Sequence, residues 1–295
     1  MLSILIPVYN YDIRPLVTEL QRQCIASQIK FEILVQDDAS EIFTTENGTI
    51  TNFNFCSYTV NQKNRGRSSV RNMLAHSAQF DNLLFLDADT MPVNAFFISN
   101  YICQITNDEK IVYGGIVYQI KKPENSKVLR WIYGKKREAL NVVKRNAKPY
   151  LSFLTLNFLI KKSIFKKVSF NENIPNLRHE DTLFSFDLMK NNIEIVHIDN
   201  PVKHLGLDLN DNFIIKSEKA IDNLHYLIST KLIDYSYVRL AKMTTFIKKS
   251  NLQFLVSTIF TFIKPILLKN MRSNKPSLLL FDLYRLGYFC QINTD

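Results

Sequence analysis

Two hydrophobic periods alternate along the first two thirds of this chain. Leu2–Val8 is an apolar, β-rich run with Ser3 its one polar residue, the signature of a buried strand. Ile13, Leu16, Val17, Leu20 and Cys24 then recur at helical spacing, and Pro15 suits a first turn. Phe31–Gln36 reads as a second strand, Phe53–Val60 as a weaker third, Ser68–Ala78 as a helix and Asn82–Leu86 as a strand. Ala95–Ile105 is predicted helical and Ile111–Ile120 extended. The middle is less regular. Glu124–Arg145 is basic and helix-like around the only tryptophan, Trp131; Leu151–Ile160 is strand-like, Asp181–Lys190 a helix and Ile193–Ile198 a strand. From about residue 212 the pattern is helical throughout, with Ile214, Ile221, Leu224, Ile228 and Leu232 keeping one face apolar.

Strands alternating with helices predict an α/β fold: a Rossmann-like, mostly parallel central sheet flanked by helices, followed by a helical C-terminal extension. The expected boundary falls near Asp208–Asn212, giving a domain over 1–211, with halves of about 1–120 and 121–211, and a helical region over 212–295. Ligands of such sheets bind beyond the carboxyl ends of the strands. Asp38 and the pair Asp87/Asp89 each follow a predicted strand, so topology brings them to one edge although about 50 residues separate them.

Composition narrows the chemistry. Over 295 residues, 46% are apolar and 22% charged, which excludes a mainly disordered chain. Only seven glycines are present and neither GxGxxG nor GxxxxGK[ST] occurs, so a glycine-rich phosphate loop is not expected. Cys24, Cys56, Cys103 and Cys290 form no CxxC pair, which argues against structural zinc or a disulfide framework and for reduced thiols in a cytoplasmic protein. The N-terminal apolar run is short, lacks a basic start and is interrupted by Pro7, so no signal peptide is expected. No membrane span is expected either. The nearest candidate, Leu252–Ile263, is 12 residues long and precedes Lys264-Pro265.

The net charge of +10 is uneven: −4 over 1–120, +12 over 121–170, −5 over 171–215 and +7 over 216–295. The basic blocks suit an anionic membrane surface at its inner face or phosphate-bearing substrates; a solvated lysine-rich face is the plainer explanation, and nucleic acid is not the expected partner.

Three constellations carry candidate chemistry. Phe85-Leu86-Asp87-Ala88-Asp89 delivers two carboxylates to a strand end, a partial oxygen shell for Mg²⁺ or Mn²⁺, though a solvated turn looks the same in sequence. Arg178-His179-Glu180-Asp181 precedes an apolar helix; one carboxylate there suits a general base, and both also complement the helix dipole. His204, after a strand in Val202-Lys203-His204-Leu205-Gly206, is a candidate metal ligand or an ordinary core or surface histidine. No nucleophilic triad and no GxSxG motif are present.

Taken in order, Ser3-Ile4-Leu5-Ile6-Pro7-Val8-Tyr9-Asn10, Gln36-Asp37-Asp38-Ala39-Ser40, Asn64-Arg65-Gly66-Arg67-Ser68-Ser69-Val70-Arg71-Asn72, the Asp87-Ala88-Asp89 segment and Glu180-Asp181 resemble a family 2 glycosyltransferase of the GT-A fold. The likeness runs over roughly residues 1–206. It implies transfer of one sugar, with inversion, from a nucleotide-diphosphate donor of the UDP type to a hydroxyl of a glycan or lipid-linked acceptor. By position, Pro7, Val8, Tyr9 and Asp38 would hold the nucleoside, Asn64 and Arg71 would fix the nucleotide, and Asp87 with Ala88 would face the ribose or sugar. Asp89 would bind Mn²⁺ or Mg²⁺ with His204 as a further ligand. Asp181 would be the base, supported by Glu180. Residues 1–120 would then be the nucleotide-binding half and 121–211 the acceptor and base half. Asn157 and Gly115 are weaker candidates for sugar contacts. The chain departs from many relatives at Val70, where a small residue is common, and in lacking the Gln-x-x-Arg-Trp signature and membrane spans of processive synthases. Single addition rather than polymerisation is therefore expected. A sugar nucleotidyltransferase and a catalytically inactive sugar-nucleotide-binding protein are the alternatives; the first normally carries a glycine-rich N-terminal loop, and Leu2–Asp12 has no glycine.

The C-terminal third lies outside the resemblance. Phe254, Leu255, Ile259, Phe260, Phe262 and Ile263 mix with Lys248, Lys249, Lys264 and Lys269. Helices that pack on the catalytic domain and helices that lie at a membrane interface share this pattern.

Overall fold

The structure is a computed structural model and describes residues 1–175 and 178–292. Its strands are β1 (Leu2–Val8), β2 (Phe31–Asp37), β3 (Cys56–Val60), β4 (Asn82–Leu86), β5 (Thr90–Pro92), β6 (Lys110–Tyr113), β7 (Ile116–Val117), β8 (Asn157–Lys161), β9 (Glu194–His197) and β10 (Val202–His204). Its helices are α1 (Arg14–Ala26), α2 (Thr44–Gly48), α3 (Arg67–Ser77), α4 (Phe97–Ile102), α5 (Val128–Tyr133), α6 (Val142–Asn146), α7 (Lys162–Lys167), α8 (Glu180–Lys190), α9 (Asn210–Ser229), α10 (Arg239–Lys249), α11 (Gln253–Met271) and α12 (Leu278–Ile292). The chain divides into two compact units. The first takes in 1–118, 139–176 and 187–206, the second 119–138, 177–186 and 207–295.

The first unit is the expected α/β sheet. Seven strands run in the order β3-β2-β1-β4-β8-β6-β9. β1 pairs in parallel with β2 and β4, β2 with β3, and β6 with β9, while β8 runs antiparallel to both β4 and β6. The apolar runs of β1 and β4 are buried because the sheet is covered on both faces. Phe85 of β4 stacks on Phe158 of β8 with ring centroids 4.8 Å apart, and on Phe165 at 5.4 Å. A three-stranded sheet, β5-β10-β7, stands beside the main one.

Several expectations change in detail. Ile111–Ile120 is not one strand: β6 and β7 are separated at Gly114-Gly115, whose backbone carbonyls are taken by Asn200 and Asn157. The strand in the 151–160 run starts only at Asn157, because Leu151 is exposed and the chain turns at 151–152 and again at 155–156. The helix-like stretch 124–145 breaks at Gly134 into α5, a π-helical turn over Gly134–Glu138 and α6, whose N-cap Asn141 accepts from the Lys144 amide at 2.9 Å.

The second unit is helical. Phe260, Leu267 and Met271 of α11 meet Phe281 and Tyr284 of α12, Phe213 and Ile214 of α9 and Leu129 of α5 in one buried cluster. Ile221, Leu224, Ala241 and Phe289 form a second. Contrary to expectation, α11 continues through Lys264-Pro265 and is, by length and composition, long and apolar enough to cross a membrane. The missing Pro265 amide would have served the Thr261 carbonyl; both residues are exposed, so the freed oxygen is not sealed in the core.

Candidate active site

Parallel pairing of β2, β1 and β4 sends their carboxyl ends to one edge, with the order reversing between β1 and β4. Val8 is in register with Asp37, and Asp37 with Val60. The loops after these strands interlock. The Asp38 amide donates to the Val8 carbonyl at 2.9 Å, and Asn10, at φ 51°, accepts from the Glu41 amide at 2.7 Å while its own amide donates to Ser40 Oγ at 2.8 Å. Pro7 is partly buried, Val8 buried, and Tyr9 half exposed at the strand end.

Asp38 is 5% exposed and works on the protein itself. Its Oδ1 accepts from Asn61 Nδ2 at 2.9 Å and the Arg65 amide at 2.8 Å, its Oδ2 from the Gly66 amide at 2.9 Å, and its carbonyl from Asn64 Nδ2 at 3.2 Å. The Asp38 carboxylate thus orders the loop into α3, and its backbone carbonyl holds exposed Asn64. Gly66 caps that helix at φ 85°, ψ 160°, a conformation open essentially to glycine alone.

The two carboxylates of Asp87-Ala88-Asp89 have different partners. Asp87 Oδ1 pairs with Arg71 Nη2 at 2.8 Å; Arg71 is 1% exposed, also reaches the Thr155 carbonyl at 3.4 Å and lies over the Phe170 ring. Arg71 therefore anchors Asp87 from below. Asp89 turns the other way, towards His204, with Oδ2 to Nε2 at 3.4 Å. The antiparallel register of β10 on β5 brings this about by setting His204 opposite Thr90, and the Leu205 amide donates to the Asp89 carbonyl at 2.8 Å. Burial pushes the Asp89 carboxyl above its usual range, opposed by His204 and reinforced by Asp87. The neighbouring loop lies close by: burial first, then the charges of Asp89 and Asp12, push the Tyr11 phenol up. Ala88, between the two carboxylates, is buried.

Asp181 and Glu180 belong to the second unit, at the N-terminus of α8. Asp181 Oδ1 accepts from the Thr182 amide at 2.7 Å; Glu180 is buried. His179 precedes the helix at φ 77°, its Nδ1 bonded to Thr182 Oγ1 at 2.8 Å, and burial holds its pKa down at about 4.

Asn157 is not placed for a sugar contact. It is fully buried, donating to the Gly115 and Asn200 carbonyls at 2.9 and 3.0 Å and accepting from the Tyr101 hydroxyl at 2.7 Å. An open polar hollow of about 630 Å³, lined by Asn72, Lys167, Phe170, Glu172, Asp187 and Asn191 among others, takes in none of the motif carboxylates. Three residues have no role assigned from the sequence. Asn61 holds Asp38, Tyr118 sets its ring 5.4 Å from that of His204, and Gly206 runs so close to Asp89 that a Cβ there would stand 2.3 Å from Oδ2. Gly206 left a faint signal, one of seven glycines and two positions after His204.

The profile described as Glycosyl transferase family 2 matches residues 3–170, more than half of the chain. No curated protein is matched. Among solved structures, S. aureus TarS 1–349 is similar at TM-score 0.52 and 18% identity, over 97% of this chain and 90% of that one. The same protein in complex with UDP-GlcNAc gives TM-score 0.50 at 16% identity, over 97% and 90%. The mannosyltransferase PcManGT from Pyrobaculum calidifontis, in complex with GDP-Man and Mn²⁺, gives 0.57 at 13% identity, over all of this chain and 88% of that one. These likenesses carry the GT-A fold, sheet and helical C-terminal part together. The family match, which takes in Asp38, Arg71, Asp87 and Asp89, establishes that the chain is a glycosyltransferase belonging to family 2.

Proposed function

We propose that the protein is an inverting, metal-dependent glycosyltransferase that moves one sugar from a UDP-sugar to a hydroxyl of a glycan or lipid-linked acceptor in surface polysaccharide or glycoconjugate synthesis. The observation that carries this reading is the split of Asp87 and Asp89 onto Arg71 and His204 at the sheet's ligand-binding edge. TarS with UDP and with UDP-GlcNAc, and PcManGT with GDP-Man and Mn²⁺, support a nucleotide-sugar donor.

The donor set fits a divalent cation. Neighbouring ligands of an octahedral cation bonded at about 2.1 Å lie about 3.0 Å apart, and Asp89 Oδ2 stands 3.4 Å from His204 Nε2, so a closure of a few tenths of an ångström would bring both onto one ion. No group of three or more His, Cys, Asp or Glu ligands occurs among the described residues, so the protein offers a partial shell, the kind Mg²⁺ and Mn²⁺ complete with water and phosphate. When bound, the cation would act as a Lewis acid for the charge that develops on the departing diphosphate.

The protein's own groups do the rest. Pro7, Val8, Tyr9 and the Asn64–Gly66 loop bind the nucleoside, with Asp38 fixing that loop. Asp87, held by Arg71, orients the ribose or sugar, and Ala88 passes the backbone between the two carboxylates. Asp181, held at the head of α8 beside Glu180, takes the proton from the acceptor hydroxyl as that oxygen attacks the anomeric carbon. One direct displacement inverts the centre. The test is a panel of UDP-, GDP- and dTDP-sugars with Mn²⁺, reading nucleoside diphosphate release with and without chelator. Release from a UDP-sugar that stops on chelation and returns with Mn²⁺ is expected. Full turnover in excess chelator refutes the metal assignment, and release only from another nucleotide refutes the UDP assignment.

A further inference from the structure

We propose that the outer face of α10 and α11 docks on an anionic lipid surface. The argument starts from the two sides of α11. Phe260, Leu267 and Met271, spaced seven and four apart, enter the core of the second unit. The opposite side carries Phe254, Leu255, Ile259, Phe262 and Ile266, a stripe of helical spacing broken only by Thr258, Thr261 and Pro265. Phe254 is 79% exposed, Phe262 77% and Ile266 68%. A contiguous aromatic and aliphatic stripe of this kind marks an interaction surface rather than scattered surface apolar residues. α10 repeats the pattern, with Met243 and Phe246 exposed at the spacing of Arg239, Lys242 and Lys249.

The charge around the stripe selects the partner. Between Asp234 and Asp282 there is no acidic residue and there are eight lysines and arginines. Arg272 is engaged by Asp211 at 2.6 Å, and Lys264 approaches Glu218 at 4.0 Å on the inner side of the helix. Lys242, Lys248 and Lys269 make no ion pair among the described residues. A second copy of the chain laid on this face would bring like charges together. An anionic bilayer supplies both what the stripe lacks, an apolar depth of a few ångströms, and the negative charge its margins call for. The inner side of α11 is already committed to the protein core, so the helix lies along the surface. This docking is independent of the nucleotide-sugar reading, and its assay contains no donor.

The test is sedimentation of the full chain with vesicles of phosphatidylcholine alone and of phosphatidylcholine with one quarter phosphatidylglycerol. Binding to the anionic vesicles is expected, about tenfold or more weaker on neutral ones and reduced in 0.5 M NaCl. Lys242→Gln with Lys248→Gln lowers it about 25-fold, and Phe254→Ser or Phe262→Ser about tenfold or more each; all are exposed positions whose replacement leaves the fold intact. A tryptophan introduced as Phe262→Trp is quenched by brominated acyl chains. Three results overturn the proposal: equal binding to both vesicles or to neither by folded protein, a concentration-dependent dimer that Phe262→Ser dissolves, or membrane attachment that survives carbonate extraction, which would make α11 a span.

Discussion

Gly206→Ala tests the site with one methyl group. The backbone at Gly206 does not need positive φ, so the constraint is space. The added Cβ would stand 2.3 Å from Asp89 Oδ2, 3.1 Å from its Cγ and 3.3 Å from its Cβ. An unstrained contact needs roughly 3.5 Å, so the carboxylate has to retreat by about 1 Å. Rotating the tip moves Oδ2 away from His204 and still leaves Cγ and Cβ too close by a few tenths of an ångström, while the Leu205 amide pins the Asp89 carbonyl at 2.8 Å. Overpacking of this sort costs about 1–3 kcal/mol of stability. A displacement of about 1 Å at a charge-holding group costs roughly 100-fold in rate, or about 2.7 kcal/mol of transition-state stabilisation. The assay is the initial rate of nucleoside diphosphate release across a Mn²⁺ titration, with Mn²⁺ binding measured separately by calorimetry. The rate should fall about 100-fold, half-saturating Mn²⁺ should rise, and Asp89→Asn should add little on top. A Gly206→Ala enzyme with unchanged rate and unchanged Mn²⁺ dependence would refute the placement of Asp89 at the reacting centre.

Three further outcomes follow from named contacts. Arg71→Met removes the buried partner of Asp87 and should cost about 2–4 kcal/mol in urea unfolding, the lower end reflecting the partial exposure of Asp87; Asp87→Asn in that background should cost little more, and a loss below about 0.5 kcal/mol for Arg71→Met would contradict the anchoring role. Asp181→Asn should lower kcat by about a thousandfold with donor KM and melting temperature unchanged; retention of full kcat would remove Asp181 as the base. His197 is 2% exposed, bonds the Pro149 carbonyl through Nε2 at 2.9 Å, and burial holds its pKa down at about 4. A base with a depressed folded pKa binds fewer protons folded than unfolded, so its stability contribution is intact above about 6.5 and lost as pH falls from 6.5 towards 4. Between pH 7 and pH 5 the protein should lose roughly 1–2 kcal/mol through His197, and His197→Gln should remove that share of the slope in urea titrations at the two pH values, leaving the share of His179.

Local pattern made the strands of the nucleotide half legible. β1 and β4 occur at the predicted residues because an uninterrupted apolar run bounded by polar turns has few other ways to be buried. The same logic overshot at Ile111–Ile120 and 151–160, where the apolar run continues past the point at which backbone hydrogen bonds pass to Asn200 and Asn157 or to turns. It overshot again at 124–145, since helical spacing cannot reveal a π-helical turn starting at Gly134. At α11 it fell short, because a proline on the exposed side of a helix costs less than the sequence rule assumes.

The amino-acid order by itself thus determined the α/β class, the edge on which Asp38, Asp87 and Asp89 emerge, and the presence of carboxylates at the head of α8. These follow from periodicity and strand ends, which are local properties of the chain. Tertiary structure decided how those groups are used. It turned Asp38 inward to hold its own loop, set Asp87 on buried Arg71, and brought His204 from 115 positions away to 3.4 Å from Asp89. Such partners depend on strand register, here that of β10 on β5, and a shift of one residue would have turned His204 to the other face of the sheet.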